Sequence, residues 1–144
     1  MNEGILLVHL VGLALSLGAA AVKLSLLLAC RVDPALAPTY VRVARPITRL
    51  ITAGIALLTL SGAAWLVLGH PFTPWLAAKL GLVGAMFVVG GWLDKVVEPA
   101  FVRTVPAPGA AATPEFARIQ RRHLALELVA TGLLGAITFF GVMV

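Results

Sequence analysis

Long apolar runs dominate the chain, and short polar or proline-rich links separate them. The runs cover about residues 4–30, 46–69, 75–97 and 114–144. Each reaches the length of roughly 20 residues that a helix needs to cross the hydrocarbon core of a bilayer. Helices are required there because a spanning segment must satisfy its own backbone hydrogen bonds. The pattern predicts an all-α fold, an antiparallel bundle of four transmembrane helices.

Proline and hydroxyl residues mark the expected helix starts. Pro46 is tolerated in a first helical turn, so the second helix is expected to begin near that residue. Thr113 offers an N-cap hydroxyl and Pro114 suits the first helical position, which together predict the start of the fourth helix. The third helix is expected to end at Glu98-Pro99.

Composition supports lipid as the solvent for most of the chain. Sixty per cent of the 144 residues are hydrophobic and only 12% are charged, and the mean hydropathy is +1.02. Four spans use most of this length, so residues 1–144 are expected to form a single transmembrane domain. The net charge of +5 lies beside the spans, which favours anionic lipid headgroups over nucleic acid as its partner.

The arginines predict an orientation. The link between the first two runs carries Arg31, Arg42 and Arg45, and further arginines flank the link between the last two, whereas the amino terminus and residues 70–74 carry neither lysine nor arginine. Basic residues beside short spans stay in the cytoplasm. Both chain termini are therefore expected on the non-cytoplasmic side.

Ionisable side chains within the apolar runs are the candidates for chemistry, because charges are costly in a membrane. In the first run, His9, Ser16 and Lys23 are seven residues apart, which places them on one helical face. His9 and Lys23 are about 21 Å apart along that face, at 1.5 Å per residue. The polar residues therefore divide into an outer group near His9 and an inner group near Lys23.

The inner group is expected to comprise five residues, Lys23, Arg49, Asp94, His123 and Glu127. Ion pairs of Lys23 and Arg49 with the two carboxylates would neutralise charges that are otherwise stranded in the membrane. A proton path with His123 and Glu127 as relay groups is the alternative interpretation.

The outer group comprises His9, Lys79 and His70. A membrane histidine is often a hydrogen-bonded packing residue, and Lys79 is close enough to the surface to extend its ammonium group to the headgroups. The alternative is a cofactor site, because a four-helix bundle can hold haem b in its core with an imidazole as axial ligand. In that hypothesis His9 is the metal ligand, with Lys79 and His70 beside the cofactor.

Four short motifs resemble those of the bacterial CopD-like and HemJ-like four-helix membrane proteins and their uncharacterised relatives. They are His9-Leu10-Val11-Gly12, Arg31-Val32-Asp33-Pro34, Leu60-Ser61-Gly62 and Trp75-Leu76-Ala77-Ala78-Lys79-Leu80. The resemblance covers roughly residues 5–103 and implies the bacterial inner membrane. HemJ is a haem-binding protoporphyrinogen oxidase, and its functional histidine and lysine would correspond to His9 and Lys79. The CopD branch implies copper passage instead.

The leading hypothesis is a haem-b-binding, redox-associated membrane protein, either protoporphyrinogen-oxidase-like or engaged in electron transfer. The alternatives are a non-catalytic accessory subunit or scaffold of a larger membrane complex, and a copper or proton transporter. Gly12 and Ser16, with Gly84, Gly90 and Gly91, permit close helix contacts within the chain or in a homo-oligomer. The chain shows no nucleotide-binding glycine loop and no HExxH metal motif.

Overall fold

The protein is an all-α bundle, as the sequence predicts. The structure, a computed structural model, describes residues 3–69 and 71–142. Its elements are α1 (Glu3–Val32), a 3₁₀ turn (Pro34–Leu36), α2 (Ala37–Val67), α3 (Pro74–Trp92), a π segment (Leu93–Val97), α4 (Glu98–Thr104) and α5 (Pro114–Val142). None of the residues it describes is in a β-strand.

Four helical stretches are long and apolar enough to cross a membrane. They are Glu3–Val32, Pro34–Val67, Pro74–Thr104 and Pro114–Phe140, the third being α3, the π segment and α4 in continuous succession. Their outward faces carry many exposed large apolar side chains, among them Leu7, Leu60 and Phe87. Such surfaces are compatible with lipid and not with water, so the chain is a multi-pass membrane protein.

The backbones of α1 and α2 touch at glycine. A Cβ atom added to Gly54 would lie 2.6 Å from the backbone nitrogen of Ser16 and 2.7 Å from the carbonyl oxygen of Gly12. Only residues without a side chain allow so close an approach. The Ser16 hydroxyl turns back and donates to the Gly12 carbonyl at 2.8 Å, so it needs no partner on α2.

The prediction that the second helix begins near Pro46 was wrong, because α2 begins at Ala37. The Asp33 carboxylate accepts a hydrogen bond from the Ala35 amide at 3.0 Å and caps the 3₁₀ turn. Pro38 then occupies the first turn of α2, and Pro46 lies inside the helix. The extra turns bury Tyr40 in the core, which compensates for the hydrogen bond that an internal proline removes.

The third span does not end at Glu98-Pro99, as the sequence predicts, but continues to Thr104. Pro99 has no N–H group and its ring crowds the preceding turn. The π segment Leu93–Val97 lies immediately before it and provides a wider turn. One residue more per turn rotates the following side chains about the helix axis, and Leu93 and Val97 remain buried.

The fourth span begins as the sequence predicts. The Thr113 hydroxyl accepts a hydrogen bond from the Phe116 amide at 3.1 Å, and Pro114 is the first residue of α5. Two apolar clusters form the core. One lies at the end of the bundle where α1 meets α2 and contains Leu27, Tyr40, Phe101 and Phe116, while the other joins α3 and the π segment to α5.

Helix packing leaves space between two sequence neighbours. The link between α2 and α3 is short, a feature that usually makes helices pack side by side. Instead α3 packs mainly on α5, and α1 packs on both α2 and α5. The space left between α2 and α3 forms part of a large cavity, which residues of both helices line.

Candidate ligand cavity and buried charge network

A cavity of about 800 Å³ lies at the end of the bundle where α1 and α3 begin. Side chains of α1, α2, α3 and α5 line it, and most are aliphatic. Its volume is within the range of roughly 300 to 1,000 Å³ that is typical of small-molecule and cofactor sites. We call it the outer cavity. His9 and Lys79, predicted to face a shared interior, both line it.

A hydrogen bond with Ser61 orients the His9 ring. His9 Nδ1 lies 2.8 Å from Ser61 Oγ. The Ser61 hydroxyl also lies 2.7 Å from the carbonyl oxygen of Leu57. When the hydroxyl donates its single hydrogen to that carbonyl, Ser61 Oγ accepts from His9 Nδ1–H, and we assign this tautomer. The other ring nitrogen, Nε2, retains its lone pair and has no hydrogen bond to any residue that the structure describes.

Aromatic packing fixes the plane of the same ring. The His9 imidazole stacks on the Trp65 indole, with ring centroids 5.3 Å apart and planes inclined by 26°. Ser61 and Trp65 are four residues apart and therefore lie on one face of α2. One helix thus supplies both the hydrogen bond and the stacking surface that position His9. Metal-bound histidines are oriented in a similar way, by a hydrogen bond from the ring nitrogen that does not bind the metal.

Lys79 is a partly buried cation without a counter-charge in the resolved surroundings. It lines the outer cavity from the second turn of α3. Within residues 3–69 and 71–142, no carboxylate lies within ion-pair distance of its ammonium group. The third residue predicted for this group, His70, lies outside the described residues.

A metal site built from several protein ligands is not present in the part of the chain that the structure describes. No group of three or more His, Cys, Asp or Glu side chains there is arranged to hold an ion. Met86 lines the outer cavity, and His9 is the only imidazole that does so among the described residues.

The inner group of charges forms a compact network around Lys23. Its ammonium nitrogen lies 2.8 Å from Glu98 Oε2 and 2.8 Å from Glu127 Oε1. His123 Nε2 lies 3.5 Å from the same Glu127 oxygen and 3.3 Å from the Tyr40 hydroxyl. Lys23 is 3% exposed, Glu127 4% and His123 0%, so these groups interact out of contact with solvent. We call these five residues the inner network.

The inner network differs from the predicted one at two positions. Lys23 pairs with Glu127, as expected, but Glu98 takes the place that was predicted for Asp94. Asp94 and Arg49 are exposed, and neither forms an ion pair with a described residue. For Asp94 the physical reason is the π segment in which it lies, because a wider turn changes the direction of the side chains within and after it.

Tyr40 and Glu98 are the network members that the sequence did not indicate. Tyr40 lay in a stretch predicted to be a loop, and it is the only tyrosine of the chain. Its ring packs edge-on against Phe101 and His123, with centroids 5.4 and 5.8 Å away. Because proline follows Glu98, the sequence predicts the end of a helix there. Asp94 and Glu127 already supplied two carboxylates to the predicted group, so no feature of the sequence indicated Glu98.

A smaller cavity of about 240 Å³ adjoins the inner network. Lys23, Glu127 and the exposed Asp94 line it. Ile55 and Met86 line both this inner cavity and the outer cavity. The two cavities are therefore separated by a thin layer of apolar side chains in the middle of the bundle.

Comparisons of this chain with family models, with curated proteins and with solved structures give no match. The geometry of the two sites is therefore the basis of the functional interpretation.

Proposed function

We propose that this chain is a haem-b-binding protein of the bacterial inner membrane, with His9 as an axial ligand of the haem iron in the outer cavity. The observation that carries the proposal is the state of His9. Its Nδ1–H is held by Ser61, its ring rests on Trp65, and Nε2 keeps a free lone pair. An imidazole prepared in this way suits metal ligation better than helix packing.

The outer cavity fits the remainder of such a cofactor. A porphyrin is a large apolar plate, and the cavity offers about 800 Å³ with predominantly aliphatic walls. Met86, Leu134 and Ile137 are buried members of its lining. Apolar surroundings exclude water from the iron and make insertion of the macrocycle favourable, because burial of apolar surface is the main source of affinity.

Lys79 offers a positive charge that can pair with the negative propionate groups of haem. Haem b carries two propionate groups, and a carboxylate beside the Lys79 ammonium group would form a charge-assisted hydrogen bond. Lys79 serves either as this propionate partner or as the second ligand of the iron. Beside a propionate, the ammonium group would no longer be an unpaired cation within the bundle. As an iron ligand, Lys79 would release its proton to water and bind as the neutral amine.

Haem supplies one-electron oxidation and reduction to a protein that binds it. The resemblance to HemJ-like proteins supports an oxidase acting on protoporphyrinogen, and an electron-transfer role is consistent with the same site. The arginine distribution supports an orientation with both termini and the outer cavity on the non-cytoplasmic side, and with the arginine-bearing links against anionic lipid headgroups.

Optical spectra of the purified protein test the proposal. The full chain is expressed in haem-replete bacteria, extracted in mild detergent and measured in oxidised and dithionite-reduced forms. The wild-type protein and the His123→Gln variant are expected to show the Soret and α bands of haem b, and His9→Ala is expected to show neither. Size-exclusion profiles check that each variant is folded.

A colourless wild-type protein from such cells would overturn the haem proposal. Equal haem content in His9→Ala would overturn the assignment of the ligand. Colourless protein that co-purifies with a larger membrane complex would favour the accessory-subunit hypothesis instead.

A further inference from the structure

The inner network does not balance its own charges. Lys23 contributes one positive charge, and Glu98 and Glu127 contribute two negative charges. With His123 neutral, the network carries one unbalanced negative charge. Glu98 is partly exposed, with 13% of its side chain accessible, but Lys23, Glu127 and His123 are buried, and an uncompensated charge beside them is expensive. One bound proton would make the network neutral.

We propose that the inner network is a proton-binding site that takes up and releases one proton, held between His123 and Glu127. These two side chains lie one helical turn apart on α5, with His123 Nε2 3.5 Å from Glu127 Oε1. At this distance their protonation is coupled, so the proton belongs to the pair and not to either residue alone.

The geometry around the pair distinguishes it from the other titratable groups nearby. From α1, Lys23 holds Glu127 at 2.8 Å, and from α4, Glu98 reaches Lys23 on its other side. From α2, the Tyr40 hydroxyl lies 3.3 Å from His123 Nε2. The remaining neighbours are the buried Cys30 thiol, beside Tyr40 in the core, and Asp94, which lines the inner cavity.

Unpartnered polar atoms show that the site is built for more than the described side chains. His123 Nδ1 is buried and has no hydrogen-bond partner among them, and neither do the hydroxyls of Thr48 and Thr131. Both threonines line the inner cavity together with Glu127. Buried polar groups of this kind are normally satisfied by ordered water.

The inner cavity provides the route for the proton. A water molecule occupies about 30 Å³ in the liquid, so a cavity of about 240 Å³ has room for several. Both Glu127 and Asp94 line this cavity, and Asp94 is exposed. Protons can therefore exchange through water between Asp94 and Glu127.

Solid-state nuclear magnetic resonance of the full chain in lipid bilayers tests the proposal. The chain contains three histidines, so the double variant His9→Gln, His70→Gln leaves His123 as the only source of histidine ¹⁵N signals. Labelling with ¹³C-glutamate reports on Glu127 in the same double variant. The same label is also introduced into the chain that keeps all three histidines. The pH is varied over the whole range in which the protein stays folded.

The expected result is one transition in which the His123 nitrogens and the Glu127 carboxyl carbon shift together with a common midpoint. Glu127→Gln is expected to abolish the joint transition, and Glu115→Gln, an exposed residue of the same helix, is expected to leave it unchanged. Constant protonation of both residues over the range would overturn the proposal. A transition confined to Glu98 would overturn the assignment to His123 and Glu127.

The outcome is independent of the haem proposal. No residue of the inner network lines the outer cavity, and the variant used here lacks His9. Failure of the proton site would therefore leave the optical test unaffected.

Discussion

The two ends of α1 each carry a basic side chain, but the surroundings of these two side chains differ. His9 and Lys23 belong to one face of this helix. Around Lys23, side chains of α4 and α5 close in and satisfy its ammonium group with two carboxylates. Around His9, Ser61 and Trp65 of α2 contact the imidazole. A cavity separates His9 from the other helices. Lys23 therefore has its counter-charges within the bundle, whereas His9 and Lys79 face an apolar space and have no charged partner among the described residues.

The largest difference between the ends is expected in stability. Lys23→Met leaves the buried Glu127 and the partly buried Glu98 without their cation, which is expected to cost about 3 to 5 kcal/mol of unfolding free energy. Lys79→Met, the matched change at the outer cavity, removes a cation that has no carboxylate partner among the described residues, and is expected to stay within about 0.5 kcal/mol in the absence of ligand. Unfolding in mixed micelles measures both variants. Equal losses would contradict the distinction between the two ends.

A change at the contact between α1 and α2 is expected to disturb both ends. Gly54→Ala places a methyl group 2.6 Å from the Ser16 nitrogen, so the helices must move apart, at a cost of about 1 to 3 kcal/mol. Gly62→Ala on the same helix has open space around the new atom and is expected to be neutral or slightly stabilising, since alanine favours helix. The same unfolding assay compares the two. Equal stability of both variants would show that the helices do not touch at Gly54.

Double variants sharpen the comparison further. Glu127→Gln is expected to relieve part of the damage of Lys23→Met, with a coupling energy of about 0.5 to 3 kcal/mol, because the two side chains are in direct contact. His9→Gln and Lys79→Met are expected to add within about 0.5 kcal/mol in ligand-free protein. A double-mutant cycle at each end supplies the measurement. Strong coupling of His9 to Lys79 without ligand would show that these two side chains interact with each other in the empty outer cavity.

A modest effect on stability is expected from Ser61, the residue that hydrogen-bonds to His9. Ser61→Ala removes the acceptor for Nδ1–H and is expected to cost about 1 kcal/mol of unfolding free energy. Its effect on haem affinity is expected to be larger, about 10-fold to 100-fold, because the imidazole loses its fixed orientation. Thr59→Ala, at another hydroxyl that lines the cavity, serves as the control. Unchanged haem affinity in Ser61→Ala would show that Ser61 does not orient the ligand.

The sequence predicted those features that depend on a single helix. The seven-residue spacing of His9 and Lys23, the cap at Thr113 and the four apolar runs follow from local geometry and hydrophobicity. The exchange of Asp94 for Glu98 could not be predicted, because a π segment leaves no distinct pattern in an apolar run. The start of α2 was misplaced because Pro38 and Pro46 are equally suited to a first turn, and the burial of Tyr40 decides between them.

The outer cavity also lay beyond the sequence. Its existence depends on α3 packing on α5 in preference to α2, a choice made by the side chains of three helices at once. Sequence periodicity places His9 and Lys79 on inward faces, but the width of the space between them is a property of the assembled bundle.

Haem titration of ligand-free protein tests the central claim most directly. Protein purified from haem-depleted cells in detergent is titrated with haem b, and the Soret band is followed in the wild type, in His9→Gln and in His123→Gln. Binding is expected to saturate at one haem per chain in the wild type and in His123→Gln, and this saturable binding is expected to be lost in His9→Gln. Weak, unsaturable binding that is the same in all three proteins would contradict it.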